Sequence, residues 1–240
     1  MNCGVPQGSI LGPLLFILYV NDIMNCSSLI NYILFADETN LFHSDTCVTR
    51  LQLTLNSELE KLSQWFRANK LSLNLGKTSN MVFGSKGRIC TSSNFILKID
   101  GKELKRVVST KFLGVHVDCF LNWKSHINQL SLKVSQLLGI INRVKHILSC
   151  NLRKMLYTTL ILPYFSYCNI LWGGASKFAS SRLVVLQKRA IRLISNTHYL
   201  AHTNPLFNRF QLLKLNDIYT FQLLVFMYPT KHDLLPSACT

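Results

Sequence analysis

Acidic residues are scarce in this chain. Its 240 residues hold 11 Asp and Glu against 26 Lys and Arg, a formal net charge of +15. No carboxylate side chain occurs between Asp118 and Asp217, an interval that contains thirteen lysines and arginines from Lys124 to Lys214. A solvated surface normally mixes signs, so this field favours polyanions, with nucleic acid ahead of an anionic membrane surface. Charge of either sign is limited to 15% of residues and 48% are hydrophobic, which excludes a disordered chain. The eight cysteines include no Cys-x-x-Cys pair, so zinc-ribbon spacing is absent and reduced thiols of an intracellular protein are expected. No basic region precedes an apolar core at the start, so no secretory signal is visible. Long hydrophobic runs are also few. Ile10 to Val20 is about half the length a bilayer needs. Met155 to Ser176 is uncharged and long enough, but Pro163, Ser166, Asn169 and Gly173-Gly174 interrupt it. It reads as a buried helix followed by a turn, with a membrane span as the rival.

The first half mixes periods. Pro13 suits the first turn of a helix, and Leu14 to Val20 is apolar all round, which predicts a buried helix. Asn31 to His43 reads as strand, tight turn, strand. Val48, Leu51, Leu55, Leu59, Leu62 and Phe66 recur at three and four and predict an amphipathic helix ending near Asn69-Lys70. Leu71, Leu73 and Leu75 alternate with polar residues and suggest a strand, continued by Met81-Val82-Phe83 after a bend near Gly76. Phe95 to Ile99 followed by Asp100-Gly101 predicts the first half of a hairpin. Lys111 to Val117 reads as one strand. From Ser125 onward the period is helical. Helices are expected over the run from Ile127 to Ile141, over Leu152 to Leu162 with a stop at Pro163, over Ser181 to Ser195, and over Leu212 to Met227. The soft boundary falls near residue 124, giving segments 1–124 and 125–240 and an α+β class.

Two adjacent acids, Asp37 and Glu38, fall at the turn of the first hairpin. Hard Mg²⁺ prefers carboxylate oxygens and needs few protein ligands where phosphates and water supply the rest. An Asp-Glu pair in a turn is by itself more often a solvated turn. The run Gly4-Val5-Pro6-Gln7-Gly8-Ser9-Ile10-Leu11-Gly12-Pro13-Leu14-Leu15-Phe16 changes that weighting. It resembles, almost residue for residue, the second palm motif of reverse transcriptases of non-LTR (LINE-type, Jockey/CR1-like) retrotransposons. Tyr19 to Ile23, Phe35-Ala36-Asp37-Glu38-Thr39, Trp65-Phe66 with Asn69 to Asn74, and Lys77-Thr78 continue the resemblance. So do Phe112 to Val115, Leu121-Asn122-Trp123, and the tail from His202 to Phe207 and Leu213 to Tyr219.

That resemblance implies a partial right-hand polymerase: a palm of antiparallel sheet with helices over 1–124, then an all-α basic thumb-like region over 125–240. It implies RNA-templated DNA synthesis by two-metal nucleotidyl transfer, with Mg²⁺ on Asp37 and Glu38. Gly4, Pro6, Gln7, Gly8 and Ser9 would contact nucleotide or template, and Lys77 would assist the leaving pyrophosphate. The partners would be an RNA template, a DNA primer or RNA–DNA hybrid, and dNTP. Two departures stand out. The family's first palm motif carries a metal-bridging Asp before the Gly-rich loop, and residues 1–3 hold no such Asp; Asp22 and Asp45 do not match its position. Glu38 stands where the family has Asp. The expectation is therefore an inactive isolated chain, with a palm sheet whose edge lacks its partner strand. The alternative is a non-catalytic RNA- or DNA-binding remnant.

One helix supports nucleic-acid contact without the family. At 100° per residue, Arg182, Lys188, Arg189 and Arg192 fall within an arc of about 120°, with apolar residues opposite and Val185 as the exception. Phosphate-backbone contact is preferred over a merely solvated basic face. His198 and His202 have a helical metal-binding spacing, but Asn204-Pro205 follows and no Cys pair precedes, so a loop is expected.

Overall fold

The computed structural model describes residues 6, 8–85, 87, 95–232 and 234. Gly4 and Gln7 lie outside the described residues. The chain divides into two compact units, Met1–Val108 and Ser109–Thr240. The division precedes residue 124, where the helical period begins.

In the first unit, helix α1 (Leu11–Val20) runs into a 3₁₀ turn, Asn21–Cys26. Hairpin strands β1 (Asn31–Phe35) and β2 (Glu38–Phe42) pair antiparallel from Asn31↔Phe42 to Phe35↔Glu38. Tyr32 and Leu34 turn inward while Ile33 and Phe35 face out, the period-2 alternation of a half-buried strand. Helix α2 (Val48–Ala68) sets Leu59 and Leu62 in a core with Ile23, Leu97 and Ile99. It ends as the sequence predicts. Lys70 adopts φ +54°, its N–H bonds the Arg67 carbonyl, and Leu71 N–H bonds the Phe66 carbonyl, a Schellman closure.

The remaining strands are short. β3 (Ser79–Asn80) pairs in parallel with β6 (Lys105–Arg106), and β4 (Lys98–Ile99) pairs antiparallel with β5 (Lys102–Glu103). Asp100 and Gly101 both have positive φ between β4 and β5, which suits a two-residue hairpin turn. Ser63 and Arg67 on α2 both donate to the Asp100 carboxylate.

Three expectations change in this unit. Helix α1 is exposed rather than buried: none of its residues is buried, and Leu18 is 66% accessible. An all-round apolar helix has no sidedness, so its sequence cannot say what covers it. Among the described residues its visible tie to α2 is Tyr19 Oη donating to the Asn69 carbonyl. Leu71, Leu73 and Leu75 form no strand. Leu71 N–H is spent on the α2 terminus and Leu75 N–H on the Leu73 carbonyl, so these donors are unavailable to a ladder. Met81 to Phe83 also lies outside any strand, pairing having ended at Asn80. The expected single antiparallel sheet is a set of separate two-stranded pairs among the described residues, one of them parallel.

The second unit opens on β7 (Ser109–Phe112) and β8 (Val115–Asp118), an antiparallel hairpin where one strand was expected. Leu113 and Gly114 supply the turn at φ +44° and +84°. Asp118 then organises the entry to the next helix, its carboxylate accepting from the N–H groups of Phe120, Asn122 and Trp123. Helix α3 (Lys124–Val144) sets Ile127, Val134, Leu138 and Ile141 into the core.

Helices α4 (Cys150–Leu156) and α5 (Leu162–Ser166) are joined by a π-helical turn, Tyr157–Ile161, in which Leu162 N–H bonds the Tyr157 carbonyl. Pro163 therefore does not stop the helix. A proline clashes with the carbonyl four residues earlier and lacks a donor for it; the wider turn just before it relieves both. The helical path breaks instead after Ser166, at Tyr167 and Cys168, the latter at φ +49°. Helices α6 (Asn169–Trp172), α7 (Lys177–Ser195), α8 (Asn204–Phe210) and α9 (Leu215–Lys231) complete the unit. Trp172, Leu183, Ile191 and Ile194 are fully buried with Tyr157 and Phe165. Among the described residues no helix is long and apolar enough to cross a membrane.

Candidate functional site

The hairpin β1–β2 determines where the two acids sit. Phe35↔Glu38 is the last ladder pair, which leaves Ala36 and Asp37 as the two turn residues, with Ala36 at φ +50°. Asp37 and Glu38 are both exposed, and neither makes an ion pair or side-chain hydrogen bond among the described residues. Their carboxylates are thus free to accept a hard cation. The donor chemistry suits Mg²⁺, but it is only a pair: no cluster of three or more metal-binding side chains occurs among the described residues.

The Gly-rich segment forms a tight turn just before α1. Ser9 N–H bonds the Pro6 carbonyl at 3.1 Å, and Gly8 has φ +88°, a value that favours a residue without Cβ. Ser9 Oγ accepts from Gly12 N–H at 3.1 Å and so caps the first turn of α1. Helix α1 accordingly starts at Leu11, before Pro13. Lys77 lies in the turn Leu75–Lys77, where its N–H bonds the Asn74 carbonyl at 3.0 Å. Its side chain is exposed, and no hydrogen bond or ion pair joins it to Asp37 or Glu38.

In the second unit, α7 presents Arg182, Lys188 and Arg189 to solvent. Val185 is 62% accessible between them, the apolar exception within the basic arc. Arg192 is half-buried, and its Nε donates to the Ala201 carbonyl at 2.9 Å, so part of its donor capacity closes the loop after α7. His198 and His202 lie in that loop, and the His198 ring sits tilted against the Tyr199 ring with centroids 4.5 Å apart.

Sequence reasoning passed over a cleft beside this face, bounded by Val184, Gln187 and Lys188 of α7, Asn204 and Phe207 of α8, and Lys214, Leu215 and Asn216 at the start of α9. The available signal was Gln187, a polar residue inside the apolar arc of α7.

Residues 1–117 match the family model described as reverse transcriptase (RNA-dependent DNA polymerase). These residues form a reverse transcriptase domain of the non-LTR retrotransposon family. The chain is similar to the "Probable RNA-directed DNA polymerase from transposon BS" of Drosophila melanogaster, at 28% identity over 211 residues, 83% of this chain and 23% of that protein. It is also similar to the "RNA-directed DNA polymerase from mobile element jockey" of Drosophila funebris, at 26% over 231 residues, 90% of this chain and 24% of that protein. A third relative, the "Retrovirus-related Pol polyprotein from type-1 retrotransposable element R1 2" of Nasonia vitripennis, is 26% identical over 75% of this chain and 45% of its own. The chain with this reverse transcriptase domain thus spans about a quarter of the length of the first two relatives. No solved structure matches it.

Proposed function

We propose that this chain is a segment of an RNA-directed DNA polymerase, with a partial palm followed by a basic thumb-like region. The observation that carries this reading is the placement of Asp37 in a two-residue hairpin turn with Glu38 directly after it, in a chain whose Gly4 to Phe16 run resembles the family loop. Asp37 and Glu38 would hold Mg²⁺, which supplies charge neutralisation for nucleotidyl transfer when bound. Pro6, Gly8 and Ser9, with Gly4 and Gln7, would contact nucleotide or template, the Gly8 turn allowing close backbone approach. Lys77 would neutralise the departing pyrophosphate. Arg182, Lys188, Arg189 and, through its remaining donors, Arg192 would hold the template–primer backbone. RNA template, DNA primer and dNTP would be the partners, inside the cell.

Residues 1–240 contribute two carboxylates to a metal site for which the family uses a further Asp ahead of the Gly-rich loop. Glu38 also places its carboxylate one methylene farther out than Asp would, and a misplacement of ~1 Å can cost on the order of a hundredfold in rate. Purified protein is therefore expected to give no primer extension with Mg²⁺. Incorporation that Asp37→Asn abolishes would overturn the prediction of inactivity. A second reading, a non-catalytic nucleic-acid binder, is favoured by the acid-free interval around α7. RNA binding that persists unchanged in EDTA would support it.

A further inference from the structure

The cleft beside α7 has the composition of a ligand site that neither the Asp37–Glu38 turn nor the exposed arginines account for. Its volume is about 230 Å³. That is below the roughly 300–1,000 Å³ of pockets that enclose drug-sized ligands, so it fits one small group and not a whole cofactor. Val184, Phe207 and Leu215 give it an apolar floor, while Lys188, Lys214, Asn204 and Asn216 stand exposed at its sides. No carboxylate lines it; Asp217, in the first turn of α9, is not among the lining residues. Neither lysine is ion-paired among the described residues.

The backbone that carries the lysines is joined by a buried polar clamp. Gln187 is 1% accessible. Its Nε2 donates to Tyr157 Oη at 3.1 Å and to the Leu213 carbonyl at 3.0 Å, and its Oε1 accepts from Leu215 N–H at 2.9 Å. These bonds fix the backbone on both sides of Lys214 against the helix turn that carries Lys188.

We propose that this cleft takes one phosphate group of a single nucleic-acid strand, held between Lys188 and Lys214, with the exposed amides of Asn204 and Asn216 beside it. A strand is favoured over a free nucleotide because Lys188 also belongs to the basic face. Arg182 lies six residues back along α7, roughly 9 Å of helix axis, close enough for one strand to meet both side chains. The inference rests on nucleic-acid contact by α7 but not on the catalytic reading.

Fluorescence anisotropy of a short labelled oligouridylate across a salt series tests it. Lys214→Ala is expected to weaken binding several-fold and to reduce the slope of log K against log salt by about 1, with the melting temperature unchanged because Lys214 is exposed. Asn216→Ala is expected to weaken binding without changing the slope. If neither variant moves the affinity, the cleft is not a phosphate site, whatever Arg182→Gln/Arg189→Gln does. If the arginine variant has no effect while Lys214→Ala does, the backbone contact by Arg182 and Arg189 fails and the cleft stands. Free uridine monophosphate binding as tightly as the oligonucleotide, with the same Lys214 dependence, would overturn the assignment to a strand.

Discussion

His126 carries the clearest residue-scale consequence of this fold. It is 2% accessible in the first turn of α3, its Nδ1 accepts from His116 N–H at 3.3 Å, and its Nε2 has no partner. Burial first, and the neighbouring His116 second, push its pKa down from 6.5 to about 4. The unfolded chain therefore binds a proton that the folded one refuses between those values. Stability is complete above about pH 6.5 and is lost as the pH falls toward 4, by up to roughly 3 kcal/mol. Urea midpoints of the second unit's transition are expected to drop between pH 7.5 and 5, and His126→Phe is expected to flatten that drop; an unchanged pH dependence in the variant would contradict the assignment. At this scale the sequence announced Asp37, Glu38 and the α7 basic residues by type and spacing. It did not announce His126 or Gln187, because whether a polar side chain is buried depends on elements remote in the chain.

Turns govern the elements. At the β7–β8 turn, Gly114 holds φ +84°, and a Cβ there would lie 3.3 Å from the Tyr167 ring, whose hydroxyl donates to the Leu113 carbonyl at 2.5 Å. Gly114→Ala is expected to cost about 1–2 kcal/mol from the left-handed backbone, plus displacement of Tyr167; a lowered melting temperature with unchanged RNA affinity is the expected result. The run Lys111 to Val117 hides this turn because apolar residues flank the glycine on both sides, a pattern a continuous strand shares. The Asp100-Gly101 turn was legible because polar residues mark it. Pro163 misleads in the opposite way: its breaking tendency is real, yet the π-helical turn before it absorbs the clash.

For the whole molecule, the sign of charge is the controlling quantity. Three side chains of the basic arc, Arg182, Lys188 and Arg189, are exposed, while Arg192 is partly committed to Ala201. With about three phosphates neutralised, log K for a single strand is expected to fall with log salt at a slope near −2. Arg182→Gln/Arg189→Gln should remove more than half of it. A slope near zero in the native chain would contradict a phosphate-binding role for α7.

The sequence by itself determined the match of residues 1–117 to the reverse transcriptase family, the hairpin bearing Asp37 and Glu38, the amphipathic helices and the basic field, because each is written in local residue order and periodicity. The tertiary structure alone decided that α1 lies exposed, that the strands remain in separate pairs, that Arg192 is partly spent on a loop, and that Lys188 and Lys214 share one cleft. Those outcomes depend on which distant backbone donors and side chains meet. That is a property of packing, and no local pattern encodes it.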